Sequence, residues 1–297
     1  MKVCMTHNCQ IRNNGTATFA LRAMKEIGGV EAFHYMAPME GKGEGKTPPE
    51  ADMYVYVDDG VDHSQWLPPH PWAYWAIDTH LGYGYRLWKA KQADRVFVAQ
   101  KDAAWKFRKD GVKHVEWLPL ACMPAAHPTK QELIEKGWKP EDLSRTFDVS
   151  FVGYLNEGVG QGSNNRVAYL DRLFQEFPNS WCSVNVFFED MAARFVRSKL
   201  VFNISIKKDL NMRVFEAMCT GSALLTNRDV HGIGDLFEEG KHYFGYKGRD
   251  EMVSVVQEAL SNDALRHEVA SSALIEVRTK HTYHHRMKTI LEVMEGA

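Results

Sequence analysis

Two short stretches gather the side chains that can do chemistry. The first, residues 207–216, holds Lys207, Lys208, Arg213 and Glu216. Three positive charges beside the Glu216 carboxylate suit an anionic ligand that also carries hydroxyl groups, because cations take phosphate oxygens and carboxylate oxygens accept from hydroxyls. The second is Asp78-Thr79-His80. An Asp or His at the carboxyl end of a strand can take the proton from an attacking hydroxyl; equally, Asp78 can cap the helix that follows.

The elements that position these residues are legible from periodicity. Leu200 to Ser205 and Ala223 to Thr226 read as buried strands, with a helix from about Asn211 to Cys219 between them. Asn211 is placed to cap that helix, and Gly221 supplies the left-handed backbone at its end. Arg213 and Glu216 share one helix face while Met212, Phe215 and Met218 share the other, which predicts a polar face open for chemistry. Ligands of such strand–loop–helix units sit outside the carboxyl ends of the strands. The alternative is an ordinary Arg213–Glu216 surface pair.

The stretch Asn211-Met212-Arg213-Val214-Phe215-Glu216-Ala217-Met218-Cys219-Thr220-Gly221 resembles the donor-site helix of glycosyltransferases with the GT-B fold, in particular the spore-maturation CgeB-like family. Val96-Phe97-Val98-Ala99-Gln100 and Trp117-Leu118-Pro119-Leu120-Ala121 resemble the N-terminal domain of the same family, so the likeness runs from about Tyr74 onward and is weakest over the first seventy residues. It implies an α/β protein of two Rossmann-like domains facing across a cleft. Residues 1–145 would form the acceptor-side domain with its linker, and residues 146–297 the nucleotide-sugar domain, its last helix crossing back to the first. Glu216 would hold the ribose hydroxyls. Gly153 and the loop after it, with Arg166 at the following helix start, would meet the donor diphosphate. Exposed N–H groups at a helix start and a guanidinium both suit a dianion, and the alternative for Arg166 is a salt bridge to Asp171. Gly15 and Thr16, in the turn after the first strand, are the matching cleft residues, or an ordinary turn.

One departure from the family pattern concerns stereochemistry. Many retaining GT-B enzymes carry an acidic residue eight positions before the ribose-binding glutamate; here that position is Lys208, with Asp209 adjacent. The basic loop fits a diphosphate and leaves the outcome, retention or inversion, open.

Bulk properties narrow the field. A chain of 297 residues has room for two cores. With 36 basic and 38 acidic residues the net charge is -2, so no global field draws it to nucleic acid or lipid headgroups. The five cysteines, Cys4, Cys9, Cys122, Cys182 and Cys219, form no Cys-x-x-Cys pair and read as reduced thiols of a cytoplasmic protein. No run is long enough for a membrane span. Around Tyr74 the chain is dense in Trp and Tyr, divided between core and sugar-stacking roles. Residues 39–52, rich in Gly and Pro, read as a loop, and 124–145 as an interdomain linker with one short helix. Trp181 to Phe188 reads as a strand. His281 and His285 lack a third ligand for a metal, and Asp58-Asp59 is the alternative carboxylate pair.

The expected activity is glycosyl transfer, of the hexosyltransferase class. The donor is a nucleotide-sugar, a UDP-sugar first, serving as co-substrate without a metal, because Arg166, Arg213, Lys207 or Lys208 and helix N-termini can neutralise the leaving diphosphate. The acceptor hydroxyl belongs to a protein, a glycan, a small molecule or a modified DNA base. Two other classes stay open: a nucleotide-sugar epimerase or hydrolase, which would convert donor with no acceptor, and a non-catalytic sugar-nucleotide or glycan-binding protein, which would bind without turnover.

Overall fold

Met53–Asp58 and Trp72–Ala76 are buried at every position. That is the pattern of strands covered on both faces, and in the computed structural model the two pair in parallel. The structure describes residues 1–7, 15–36, 47–58, 66–155 and 163–296. In chain order the elements are β1 (Lys2–His7), α1 (Thr16–Lys25), β2 (Glu31–Met36), β3 (Met53–Asp58), β4 (Trp72–Ala76), α2 (Tyr83–Ala90), β5 (Arg95–Val98), α3 (Lys101–Lys109) and β6 (Val115–Trp117). There follow α4 (Lys130–Glu135), β7 (Phe147–Val152), α5 (Ser163–Glu176), β8 (Trp181–Ser183), α6 (Phe188–Val196), β9 (Ser198–Asn203), α7 (Met212–Cys219) and β10 (Ala223–Asn227). The last are α8 (Ile233–Leu236), β11 (Phe244–Tyr246), α9 (Arg249–Ser261), α10 (Asp263–Lys280) and α11 (Tyr283–Glu295).

The chain forms two compact units, Met1–Leu120 with Tyr283–Ala297, and Ala121–Thr282. In the first, six parallel strands run in the order β2-β1-β3-β4-β5-β6. Its core joins Tyr54, Tyr56, Trp72, Tyr74, Val96 and Phe107, so the central part of the aromatic run is packing, while Trp88 stays part-exposed. Helix α11 belongs to this unit. Tyr283 meets Phe19 at 5.5 Å between ring centroids, and the buried Arg286 donates to the carbonyls of Pro119 and Leu120 at 2.8 and 3.2 Å.

In the second unit five parallel strands run in the order β11-β10-β9-β7-β8. Val149, Phe151, Leu200, Phe202, Leu225 and Tyr246 centre its core. Residues 124–145, expected as an interdomain linker, lie in this unit: Leu133 of α4 and Leu143 bury against Ala192, Ala193 and Val196 of α6. A side-chain capping box, Thr129 with Glu132, fixes the start of α4. The strand expected over Trp181–Phe188 ends at Ser183, because Asn185 and Phe188 take left-handed backbone, φ 57° and 52°.

Both sheets reverse direction once. From β1 the chain places β2 on one side and β3 on the other, and from β7 it places β8 on one side and β9 on the other. In open parallel sheets such a reversal of strand order, at the carboxyl ends of the strands, is where ligands sit, and each unit has one.

Candidate functional site

At the β7/β9 reversal, Arg166 stands in the first turn of α5 and spans the two diverging loops. Its Nη1 donates to Tyr154 O at 2.7 Å and its Nη2 to Ile204 O at 3.4 Å. The guanidinium lies 5.5 Å from the centre of the Phe151 ring. Gly153 shapes this platform, since a Cβ there would stand 2.7 Å from Phe151 Cζ. Burial, and then the charge of Arg213, pull the Arg166 pKa down. The charge of Arg213 thus reaches Arg166 at a cost that a bound anion would offset.

Helix α7 carries the rest. Asn211 is its N-cap residue, yet its side chain does not cap; Nδ2 donates to Asn203 Oδ1 at 3.2 Å. Gly221 takes φ 72° past the helix end. The polar face is closed rather than open: Glu216 is 5% exposed. Its Oε2 meets Arg213 Nη1 at 3.0 Å and its Oε1 meets His127 Nε2 at 3.3 Å. Burial pushes the Glu216 carboxyl up, but Arg213 and His127 outweigh it and hold the group below its usual value, hence ionised. Arg213 Nη1 also points at Met191 Sδ, 2.6 Å away. Among the described residues, Nε and Nη2 of Arg213 make no hydrogen bond and can take a ligand.

Lys207 and Lys208 are exposed and occupy consecutive left-handed conformations, φ 51° and 61°. Such backbone costs on the order of 1–3 kcal/mol per non-glycine residue. It is held by Lys208 O, which accepts from His231 N at 2.9 Å, and by Asp209 N donating to Ile206 O at 3.0 Å. Lys208 Nζ lies 3.4 Å from Asp229 Oδ2. Three buried polar atoms on or beside this loop have no partner among the described residues: Arg166 Nε, Ser205 Oγ and Asn211 Oδ1. Buried polar groups are nearly always satisfied, so three such atoms at one strand-order reversal make it the candidate place of a polar ligand.

In the first unit, Asp78 and His80 sit in the turn after β4, one strand away from the β1/β3 reversal. Asp78 has φ 54°, and its carbonyl accepts from Leu81 N at 2.8 Å. The N-cap of α2 is Gly82, so Asp78 does not cap it. The turn is pinned twice. Thr79 N and Oγ1 donate to Gln100 Oε1 at 3.0 and 2.8 Å, and Arg86 Nη1 donates to Gly82 O at 3.3 Å. Asp58 Oδ2 is engaged within the unit: it lies 2.8 Å from Arg86 Nε in an ion pair and accepts from the Tyr74 hydroxyl at 2.7 Å, all buried. Asp59 lies outside the described residues, as do 39–46 of the Gly-rich loop and residues 8–14. Gly15 is the N-cap of α1 and Thr16 is buried in its first turn.

Sequence reading passed over two residues. His127 sits in what read as linker, where only an adjacent Pro128 marks it. His7, at the end of β1, stacks on His34 with ring centroids 4.0 Å apart, and burial, then His34, push its pKa down to about 3. The sequence suggests a first strand that stops at Thr6 and a turn that begins at His7, whereas the strand includes it. His281, weighed as a metal ligand, packs edge-on against Phe237 and Phe215 at 5.1 and 6.1 Å. The thiols of Cys4, Cys122 and Cys219 are buried and that of Cys182 half-buried, none in a disulfide.

Residues 159–292 match the glycosyl transferase-like family. No curated protein matches the chain. Among solved structures it is similar to Anabaena HepE in complex with UDP-glucose, with 13% identity, 100% of each chain covered and a TM-score of 0.67. It is also similar to an alpha-glucosyltransferase in complex with UDP-glucose and DNA containing an abasic site, with 10% identity, 99% of each chain covered and a TM-score of 0.66. Sucrose-phosphate synthase from Thermosynechococcus elongatus follows at 8% identity, 100% of this chain and 98% of that one, TM-score 0.62. The fold is GT-B, with parallel α/β units of six and five strands.

Proposed function

We propose that this protein is a glycosyltransferase that moves a sugar from a UDP-sugar to an acceptor hydroxyl, without a metal. The observation that carries the reading is the set of orphaned atoms, Arg166 Nε, Ser205 Oγ and Asn211 Oδ1, at the β7/β9 reversal, where the charge of Arg213 reaches Arg166. The family match over 159–292 and the UDP-sugar complexes of the similar structures support it.

In this reading Glu216 accepts from the ribose hydroxyls, and Arg166 and Arg213 meet the diphosphate, with the amino ends of α5 and α7 and with Lys207 and Lys208 adding positive potential. As the acceptor oxygen bonds to the anomeric carbon, the bond from that carbon to the diphosphate oxygen breaks and UDP leaves as an anion. The guanidiniums stabilise that charge where it develops. Asp78 or His80 receives the acceptor proton. Because cations do the neutralising and Asp58 is consumed by Arg86, turnover survives excess EDTA. The acceptor is a hydroxyl of a protein, a glycan, a small molecule or a modified DNA base. Within the fold, the sequence of α7 supports membership of the CgeB-like group. Among the described residues no helix is long and apolar enough to cross a membrane, and the reduced state of the described cysteines supports a place in the cytoplasm.

The test is a melting and turnover screen across nucleotide-sugars with candidate acceptors. A UDP-sugar raises the melting temperature, and UDP is released fastest with an acceptor present. Release at full rate without acceptor indicates a hydrolase, conversion of the donor to its epimer without UDP release indicates an epimerase, binding with neither indicates a sugar-nucleotide binding protein, and EDTA-sensitive turnover removes the metal-free step.

A further inference from the structure

Glu216 is held from outside its own helix. His127, 1% exposed, presents Nε2 to Glu216 Oε1 at 3.3 Å, while its Nδ1 accepts from Met123 N at 3.3 Å. A ring nitrogen that accepts carries no proton, so the neutral imidazole bears its hydrogen on Nε2 and donates it to the carboxylate. The segment itself is anchored by Arg278 of α10. That guanidinium donates to His127 O at 3.3 Å, pairs with both oxygens of Glu132 at 2.6 and 2.7 Å, and donates Nε to Cys219 O at 3.1 Å. One arginine thus ties the His127 segment to the end of the helix that bears Glu216.

The consequence lies in the lone pairs. A carboxylate offers about four acceptor positions. Among the described residues His127 takes one on Oε1 and Arg213 one on Oε2, which leaves one on each oxygen. We propose that His127 is a positioning residue that fixes the Glu216 carboxylate so that its two remaining acceptor positions meet two vicinal hydroxyls, making the site select ribonucleotides over 2′-deoxyribonucleotides. This rests on the reading of Glu216 as the ribose ligand. A site that has buried a carboxylate for hydroxyl donors rejects an analogue lacking one, because an oxygen is then left short of a partner.

The experiment is calorimetric titration of UDP and 2′-deoxy-UDP into the wild type and into His127→Asn and His127→Gln. The asparagine side chain reproduces the Nδ1 side of histidine and can still accept from Met123, but is too short for Glu216. The glutamine side chain reaches Glu216 with an N–H and loses the Met123 bond. The wild type is expected to prefer UDP at least tenfold. H127N brings the ratio near one with 2′-deoxy-UDP affinity changed less than threefold, and H127Q keeps the wild-type ratio within threefold. Wild-type discrimination retained in H127N overturns the proposal, and so does an equal loss in both variants, which marks a merely structural histidine. A wild type that binds both nucleotides alike instead overturns the ribose reading on which the proposal rests, and the two failures are thereby told apart.

Discussion

The carboxyl ends of the two sheets solve opposite electrostatic problems. In the second unit, at the β7/β9 reversal, Arg213 pairs with Glu216, whereas Arg166 has no carboxylate partner among the described residues, feels the charge of Arg213 and leaves Nε without an acceptor. In the first unit the comparable charges are cancelled. Asp58, Arg86 and Tyr74 close on one another, and His7 is buried neutral. The contrast supports the proposed placing of the donor diphosphate at the second unit's end.

Breaking the cancelled charge is expected to have the largest effect. Asp58→Asn leaves Arg86 uncompensated in a site where it is 2% exposed, and should cost about 3–5 kcal/mol, read by denaturant unfolding. A loss below about 1 kcal/mol would mean that the pair is not cancelled as described. Next in size are Asp78→Asn and His80→Ala. If either group receives the acceptor proton, kcat falls roughly a hundredfold or more with donor affinity unchanged. Near-wild-type kinetics in both variants would remove the reacting centre from the β4 turn.

The fold was more legible than the site, for a physical reason. Apolar periodicity reports burial, and burial made the strands and helices of both sheets readable from Val3 to Tyr246. The burial of Glu216 was not readable, because the partner that makes it tolerable, His127, is 89 residues away in sequence. Arg213 at three residues' distance was visible, and predicted an exposed pair. Asn211 was placed correctly as the N-cap residue, but which group its amide would choose depended on Asn203, brought beside it by the loop. The left-handed pair Lys207 and Lys208 carries no glycine or asparagine to announce it.

The comparison also has a pH signature. His7 has a folded pKa of about 3 against an ordinary 6.5, so the unfolded chain binds the extra proton between those values. Its share of stability is full above about pH 6.5 and falls by about 1.4 kcal/mol per pH unit as pH drops toward 3. Glu132, held at about 2 by Arg278 against an ordinary 4.5, contributes fully above about pH 4.5 and loses its share only as pH drops toward 2. Between pH 6.5 and 4.5, of these two groups, only His7 weakens the protein. His7→Gln should flatten the stability curve there, whereas an unchanged slope would assign the acid sensitivity elsewhere. Smallest is Lys208→Ala. With Lys208 at 53% exposure and paired to Asp229, its removal should raise the UDP dissociation constant by about threefold or less; a loss above tenfold would make the exposed loop, rather than the half-buried arginines, the main phosphate site.

The central claim is that Glu216, buried and ionised between Arg213 and His127, reads the nucleotide's ribose. Calorimetric titration of UDP into Glu216→Gln tests it most directly, because the substitution keeps the shape and removes the charge. The account predicts UDP affinity weakened at least tenfold in a variant with a native melting curve. An unchanged dissociation constant in that folded variant would contradict it.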